Sequence, residues 1–171
     1  RAAGVDAFIA KPLFRSRLTA TLRQFTSGKK EKNARNYLED FAKTDYTGKR
    51  LLLVEDNDLN REIATEILGM TGVTVETAEN GKIAVEKVAA APENWYSLVL
   101  MDIQMPVMNG YDSTRHIRAL ERPDIKSMPI IAMSANAFAE DIKLCKESGM
   151  NEHIAKPIDF GKVLEILEKY L

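Results

Sequence analysis

Leu98-Val99-Leu100-Met101-Asp102 places four apolar residues directly before a carboxylate. A run this short and this apolar reads as a strand buried on both faces, as in a parallel sheet covered by helices. Such sheets gather ligands and chemistry beyond the carboxyl ends of their strands, which is where Asp102 falls. The arrangement recurs along the chain. Leu51-Leu52-Leu53-Val54 runs into Glu55-Asp56, Pro129-Ile130-Ile131-Ala132-Met133 runs into Ser134, and His153-Ile154-Ala155 runs into Lys156. If these strands are parallel and adjacent, their tips deliver three acids, a hydroxyl and an ammonium to one rim.

Helical patterns separate the runs. Ile63, Ile67 and Met70 share one face of a helix over about 59–70, with Gly72 just beyond it. Residues 73–78 read as a second strand, and Asn80 caps a helix over 81–91. A helix over 111–120 is stopped by Pro123, and one over 137–148 is closed by Gly149. The last helix covers 160–170. Five strands alternating with five helices favour an α/β doubly wound fold, a five-stranded parallel sheet in the order 2-1-3-4-5. Asn57 and Asn60 are expected to serve the turn and helix start after strand one. Met101, Met105 and Met133 are expected as packing and Cys145 as a small core residue. Trp95, in the loop before strand three, has no evident role.

Composition limits the rest. The 171 residues are 45% apolar and 29% charged, with a net charge of −1. Nothing pulls the chain towards nucleic acid or an anionic membrane, so neither contact is expected. No apolar stretch approaches the roughly 18 residues of a membrane span, and no secretory signal is present. The single cysteine rules out an internal disulfide and fits a reducing, cytoplasmic setting. The chain opens at Arg1 and is read as a piece of something longer, whose remainder is free to carry a membrane anchor.

An internal repeat sets the expected domain organisation. Gly4-Val5-Asp6-Ala7-Phe8-Ile9-Ala10-Lys11-Pro12-Leu13 lines up with Gly149-Met150-Asn151-Glu152-His153-Ile154-Ala155-Lys156-Pro157-Ile158 at a constant offset of 145 positions. A helical pattern follows each Lys-Pro. Residues 1–25 are thus expected to be the closing strand and helix of a preceding domain, with Lys11 inert for want of acids in its own copy. Residues 26–48 form a linker. Within it Ala34, Tyr37, Leu38 and Phe41 mark a short amphipathic helix over about 33–42. The third unit is the domain over 49–171.

The chemistry of the rim follows from its residue types. Glu55, Asp56 and Asp102 ionise near pH ~4, and two such charges about 4 Å apart near a protein surface repel by roughly 4 kcal/mol. A counter-cation is required. Oxygen ligands without His or Cys favour a hard ion, Mg2+ above all. A carboxylate surrounded by Mg2+, Lys156 and the Ser134 hydroxyl suits phosphoryl transfer, with Asp102 as nucleophile and an acyl phosphate as product. Neither His116 nor His153 has a positional claim to act as base for Ser134.

Val54-Glu55-Asp56-Asn57, the run from Met101-Asp102 to Asn109-Gly110 through Met105-Pro106, Ala132-Met133-Ser134-Ala135-Asn136-Ala137, and Ala155-Lys156-Pro157 together resemble a response-regulator receiver domain. The resemblance covers 49–171, and its wording is closest to receivers fused to hybrid sensor histidine kinases. It implies a flavodoxin-like sheet of the receiver type. It also implies transfer of a phosphoryl group to Asp102 from a phosphohistidine, on a histidine kinase core or a histidine phosphotransfer domain. Mg2+ would be held directly by Asp56 and Asp102 and by the Gln104 backbone carbonyl, with Glu55 acting largely through water. Ser134 and Lys156 would move towards the phosphoryl group and reshape the surface around strands four and five. The Lys156-Pro157 bond would be cis.

One position departs from the family. Tyr or Phe usually stands where this chain has His153, as the switch side chain, and the repeat has Phe8 there. His153 stands with Ser134 as a switch residue by position; a histidine there offers a pH-sensitive switch, with a plain exposed strand-end residue as the first expectation. Association into a dimer is compatible with the chain. Two other readings compete with the phosphoacceptor: an Mg2+-dependent aspartyl phosphatase, and a receiver-like module used only for protein contact. The first needs a second Asp two residues after the nucleophile, where Gln104 stands. The second needs a broken acceptor site, and this one is complete.

Overall fold

In the computed structural model the described residues are 40–41, 43–135 and 139–171. The expected strand-helix piece of 1–25, with Lys11 and Phe8, lies outside them, as does most of the helix expected over 33–42. The helical residues Asp40, Phe41 and Lys43 are described.

Strand β1 is Arg50–Val54, β2 Thr74–Ala78, β3 Leu98–Asp102, β4 Ile130–Ser134 and β5 Glu152–Ala155. All neighbours are parallel, in the order β2-β1-β3-β4-β5, as the alternating pattern predicts. Helices α1 (Asp58–Gly69), α2 (Gly81–Ala90), α3 (Gly110–Arg118), α4 (Pro123–Ser127), α5 (Ala139–Glu147) and α6 (Phe160–Tyr170) connect and cover the sheet.

Helix α4 corrects one expectation. Pro123 ends nothing; it begins a short helix. Proline lacks the N–H that a first helical position leaves unbonded, and its fixed φ suits that position. Helix α3 has already finished at Arg118.

The three central strands are apolar because both their faces are covered. Leu51, Leu53, Leu98, Leu100, Ile131 and Met133 pack beneath α1 and α6 with Ile63, Ile67, Val163 and Leu167. Leu52, Val54, Val99, Met101, Ile130 and Ala132 pack on the other face with Ala84, Val88, Ile117 and Cys145. Successive strand residues alternate between these two layers. Phe41 belongs to the first layer. It is fully buried, and its ring meets that of Phe160 edge-on, 6.3 Å between centroids. The packed unit therefore reaches back beyond residue 49.

The caps are where the sequence places them. Asn57 and Asn80 accept hydrogen bonds from Asn60 and Ile83 backbone N–H groups, and Gly149 closes α5 at φ +95°. Trp95 gains a role at the sheet edge. Its indole Nε1 donates to Glu76 at 3.0 Å, and the Arg50 guanidinium lies 4.1 Å above its ring. Arg50 and Tyr96 donate to the same carboxylate at 2.8 and 2.7 Å.

Candidate functional site

Register brings the polar strand tips together. Val54 pairs with Met101, so Glu55 and Asp102, each one residue further on, are level on adjacent strands. Asp102 pairs with Met133, and Ser134 with Ala155, which places Ser134 and Lys156 at the next rung. The Lys156 N–H donates to the Ser134 carbonyl at 2.6 Å. Gly110, the first residue of α3, lets that helix approach the end of β3. A Cβ there would stand 2.3 Å from the Asp102 carbonyl oxygen, so only glycine fits.

Lys156 Nζ donates to Asp102 Oδ2 at 2.6 Å and to Glu55 Oε2 at 2.7 Å. Carboxylate oxygens of Glu55, Asp56 and Asp102 all lie within 4.8 Å of one another. Glu55 and Asp102 are buried, whereas Asp56 is exposed. The Gln104 N–H donates to Asp102 Oδ1 at 3.2 Å. The Lys156-Pro157 bond is cis.

Burial pushes the Asp102 carboxyl up. The hydrogen bond and charge of Lys156 pull it back, the Glu55 charge pushes it up again, and the balance lies above the ordinary carboxylate range. Burial would lower the Lys156 ammonium, but its bonds to Asp102 and Glu55, with their charges, outweigh that and raise it. Three carboxylates face one ammonium, a deficit of two positive charges when all are ionised. The donor set is all oxygen, and a hard divalent cation fits it in charge and chemistry.

Two contacts revise the reading of single residues. His153 is half-buried, and its Nε2 lies 2.7 Å from Ser134 Oγ. It is therefore neither plainly exposed nor without a claim on Ser134. The strand pattern contained the signal: His153 pairs with Ala132, and Ser134, two residues on, shares that face. Asn60 does more than start a helix. Its Nδ2 donates to Glu55 Oε1 at 3.1 Å, because first-turn side chains of α1 lean back towards the helix N-terminus. Arg61 Nη1 donates to the Glu55 carbonyl at 2.8 Å. Asn60 stands three, four and seven residues before the buried Ile63, Ala64 and Ile67, so helix periodicity turns it inward, but no local pattern names Glu55 as the partner of either residue.

A doubly wound parallel sheet with an acid–lysine pocket at its carboxyl rim, fed by β1, β3, β4 and β5, defines a class of phosphoryl-handling α/β domain. Residues 51–168 match the family described as the response regulator receiver domain. The chain belongs to that family. It is 41% identical over 125 residues to the two-component response regulator ORR41 of Oryza sativa subsp. japonica, covering 71% of this chain and 93% of that protein. It is 38% identical over 120 residues to hybrid signal transduction histidine kinase M of Dictyostelium discoideum, covering 70% of this chain and 5% of the kinase. Peroxide stress-activated histidine kinase mak1 of Schizosaccharomyces pombe is 41% identical over 113 residues, 66% of this chain and 7% of that protein. The chain thus spans only a small part of the kinases it resembles. Among solved structures, the receiver domain of sensor histidine kinase PA1611 from Pseudomonas aeruginosa superposes with a TM-score of 0.64 at 35% identity, covering 72% of this chain and 98% of that one. That structure has a magnesium ion coordinated in its active-site cleft.

Proposed function

We propose that this chain is the phosphoacceptor unit of a two-component phosphorelay, with Asp102 as the acceptor. One observation carries the reading: a buried carboxylate at a strand tip shares a lysine with a second acid, and a third acid stands beside them. In the step, an Asp102 carboxylate oxygen attacks the phosphorus of a phosphohistidine. The P–N bond breaks, its electron pair leaves with the imidazole, and an acyl phosphate remains on Asp102.

Lys156 donates to one phosphoryl oxygen and opposes its charge without a proton changing hands. Ser134 offers a hydroxyl to another oxygen, and its turn towards the phosphoryl group carries the change to the β4–β5 surface. Asp56, Asp102 and the Gln104 carbonyl would hold Mg2+, with Glu55 acting through water. Bound there, the ion supplies positive charge against the phosphoryl oxygens. Gln104 has no acidic proton to give, so the position that would serve a phosphatase as general acid does not do so here.

The donor is a histidine kinase core or a histidine phosphotransfer domain, and the parent chain is a hybrid histidine kinase working in the cytoplasm. Similarity to hybrid kinases supports this, as does the repeat, by which residues 1–25 read as the end of a preceding receiver joined through 26–48. A cleft of about 110 Å³ beside the acids, lined by Asn60, Ala64, Lys156, Pro157, Ile158 and Phe160, has room for one apolar side chain of a partner helix. Leu59, the residue before Asn60, is 53% exposed. Among the described residues no helix is long and apolar enough to cross a membrane.

The test is exposure to a small phosphodonor such as acetyl phosphate with Mg2+, followed by intact mass measurement. The protein is expected to gain a single phosphoryl group, and Asp102→Asn none. An unmodified wild type, or equal modification of Asp102→Asn, overturns the reading.

A further inference from the structure

We infer that Asn60 is a positioning residue for the phosphoacceptor site, acting through Glu55 on Lys156. The inference rests on the phosphoacceptor reading and adds a residue to it. Lysine carries its charge on a flexible stem of four carbons, so something must fix where Nζ sits. Two acceptors do so, Asp102 Oδ2 and Glu55 Oε2. Asp102 is the reacting group and changes during transfer, which leaves Glu55 as the constant anchor. Glu55 is itself a long side chain, and its second oxygen is held by Asn60 Nδ2 at 3.1 Å. In a side chain only 2% exposed, that oxygen needs a protein donor.

Asn60 is well placed to be the fixed end of this chain of contacts. It sits in the first turn of α1, where its own backbone N–H is tied to Asn57 Oδ1 at 3.0 Å. Arg61 beside it holds the Glu55 carbonyl. The side-chain type is specific as well. A lysine at this position would compete with Lys156 for Glu55, and an aspartate would add a fourth carboxylate to a pocket already short of positive charge. A neutral amide gives the hydrogen bond and leaves the charge of the pocket unchanged.

The test uses Asn60→Ala and Asn60→Leu, the second keeping side-chain bulk next to Ala64 and Phe160. Both are expected to unfold within a few degrees of wild type and to slow phosphorylation by acetyl phosphate about tenfold at saturating Mg2+, the usual scale for residues that orient a reacting shell. In a Glu55→Gln background, Asn60→Ala is expected to add less than about twofold, because residues acting in series are not additive. The Lys156 ammonium proton signal, narrow when two carboxylates hold it, is expected to broaden in both variants. Wild-type rates in Asn60→Leu, or the full tenfold loss in the Glu55→Gln background, overturn the inference. Failure of the wild type to accept phosphate would sink the underlying reading instead, so the two failures are distinguishable.

Discussion

At the scale of single residues, His153 matters most, because Ser134 has one hydroxyl proton. In the structure that hydroxyl is engaged with His153 Nε2. The imidazole tautomer decides which partner donates; where Ser134 donates to Nε2, that bond must break or reverse before Ser134 can donate to a phosphoryl oxygen. A neutral hydrogen bond contributes about 1 kcal/mol net, a factor of roughly 5 in an equilibrium at 25 °C. His153→Phe removes the partner and keeps a ring. It is expected to raise the steady-state phosphorylated fraction about fivefold at limiting acetyl phosphate, read by intact mass. His153→Gln keeps a polar partner and is expected to stay near wild type. Equal behaviour of wild type and His153→Phe would show that the contact does not restrain Ser134.

Between the residue and the whole stands the element. Edge strand β2 is the least apolar of the five strands, with only Ala78 buried. What fastens it is a polar cluster on Glu76, joined by Arg50 of β1 and by Trp95 and Tyr96 of the loop before β3. Burial pushes the Glu76 carboxyl up, but hydrogen bonds from Tyr96, Trp95 and Arg50, with the Arg50 charge, outweigh it and leave the group below the usual glutamate range. A carboxyl lowered by folding stabilises the folded state above its ordinary value of 4.5, and this contribution is lost as pH falls below that value and through the lowered one. Glu76→Gln is expected to be less stable than wild type at pH 7, with the gap closing as the pH is lowered past 4.5, measured by urea unfolding followed through Trp95 fluorescence. A gap independent of pH would mean that the cluster works by shape and not by charge. This cluster also explains why Trp95 was opaque from the sequence. Its partners lie on other strands, at separations that no local pattern encodes.

For the whole molecule, what was legible and what was not divide by range. Strand runs ending in Glu55-Asp56, Asp102, Ser134 and Lys156, with helical periods between them, dictated the sheet order. The order then dictated that these residues meet. Caps at Asn57, Asn80 and Gly149 were legible because capping is local chemistry. Contacts that depend on register between distant strands were not, and neither was the second use of Asn60, whose capping neighbourhood already accounted for it. The start of α4 was misread because proline closes one helix and opens another by the same geometry. The converged site also carries a cost that the whole fold bears. With its carboxyl raised by burial, Asp102 holds its proton more firmly folded than unfolded, so its contribution to stability is lost as pH rises through the folded value. At pH 7 in chelator, its charge therefore opposes folding. Asp102→Asn is expected to melt above wild type there. Adding Mg2+ should reverse the order. At a free concentration 100 times the dissociation constant, a ligand of the folded state adds about 2.7 kcal/mol, roughly 10 °C in melting temperature for a domain of this size. Wild type should show that rise and lose it on chelation, whereas Asp102→Asn, lacking one ligand carboxylate, should respond far less. If both proteins gain the same number of degrees from Mg2+, the ion binds elsewhere, and the acids at the sheet rim are not its site.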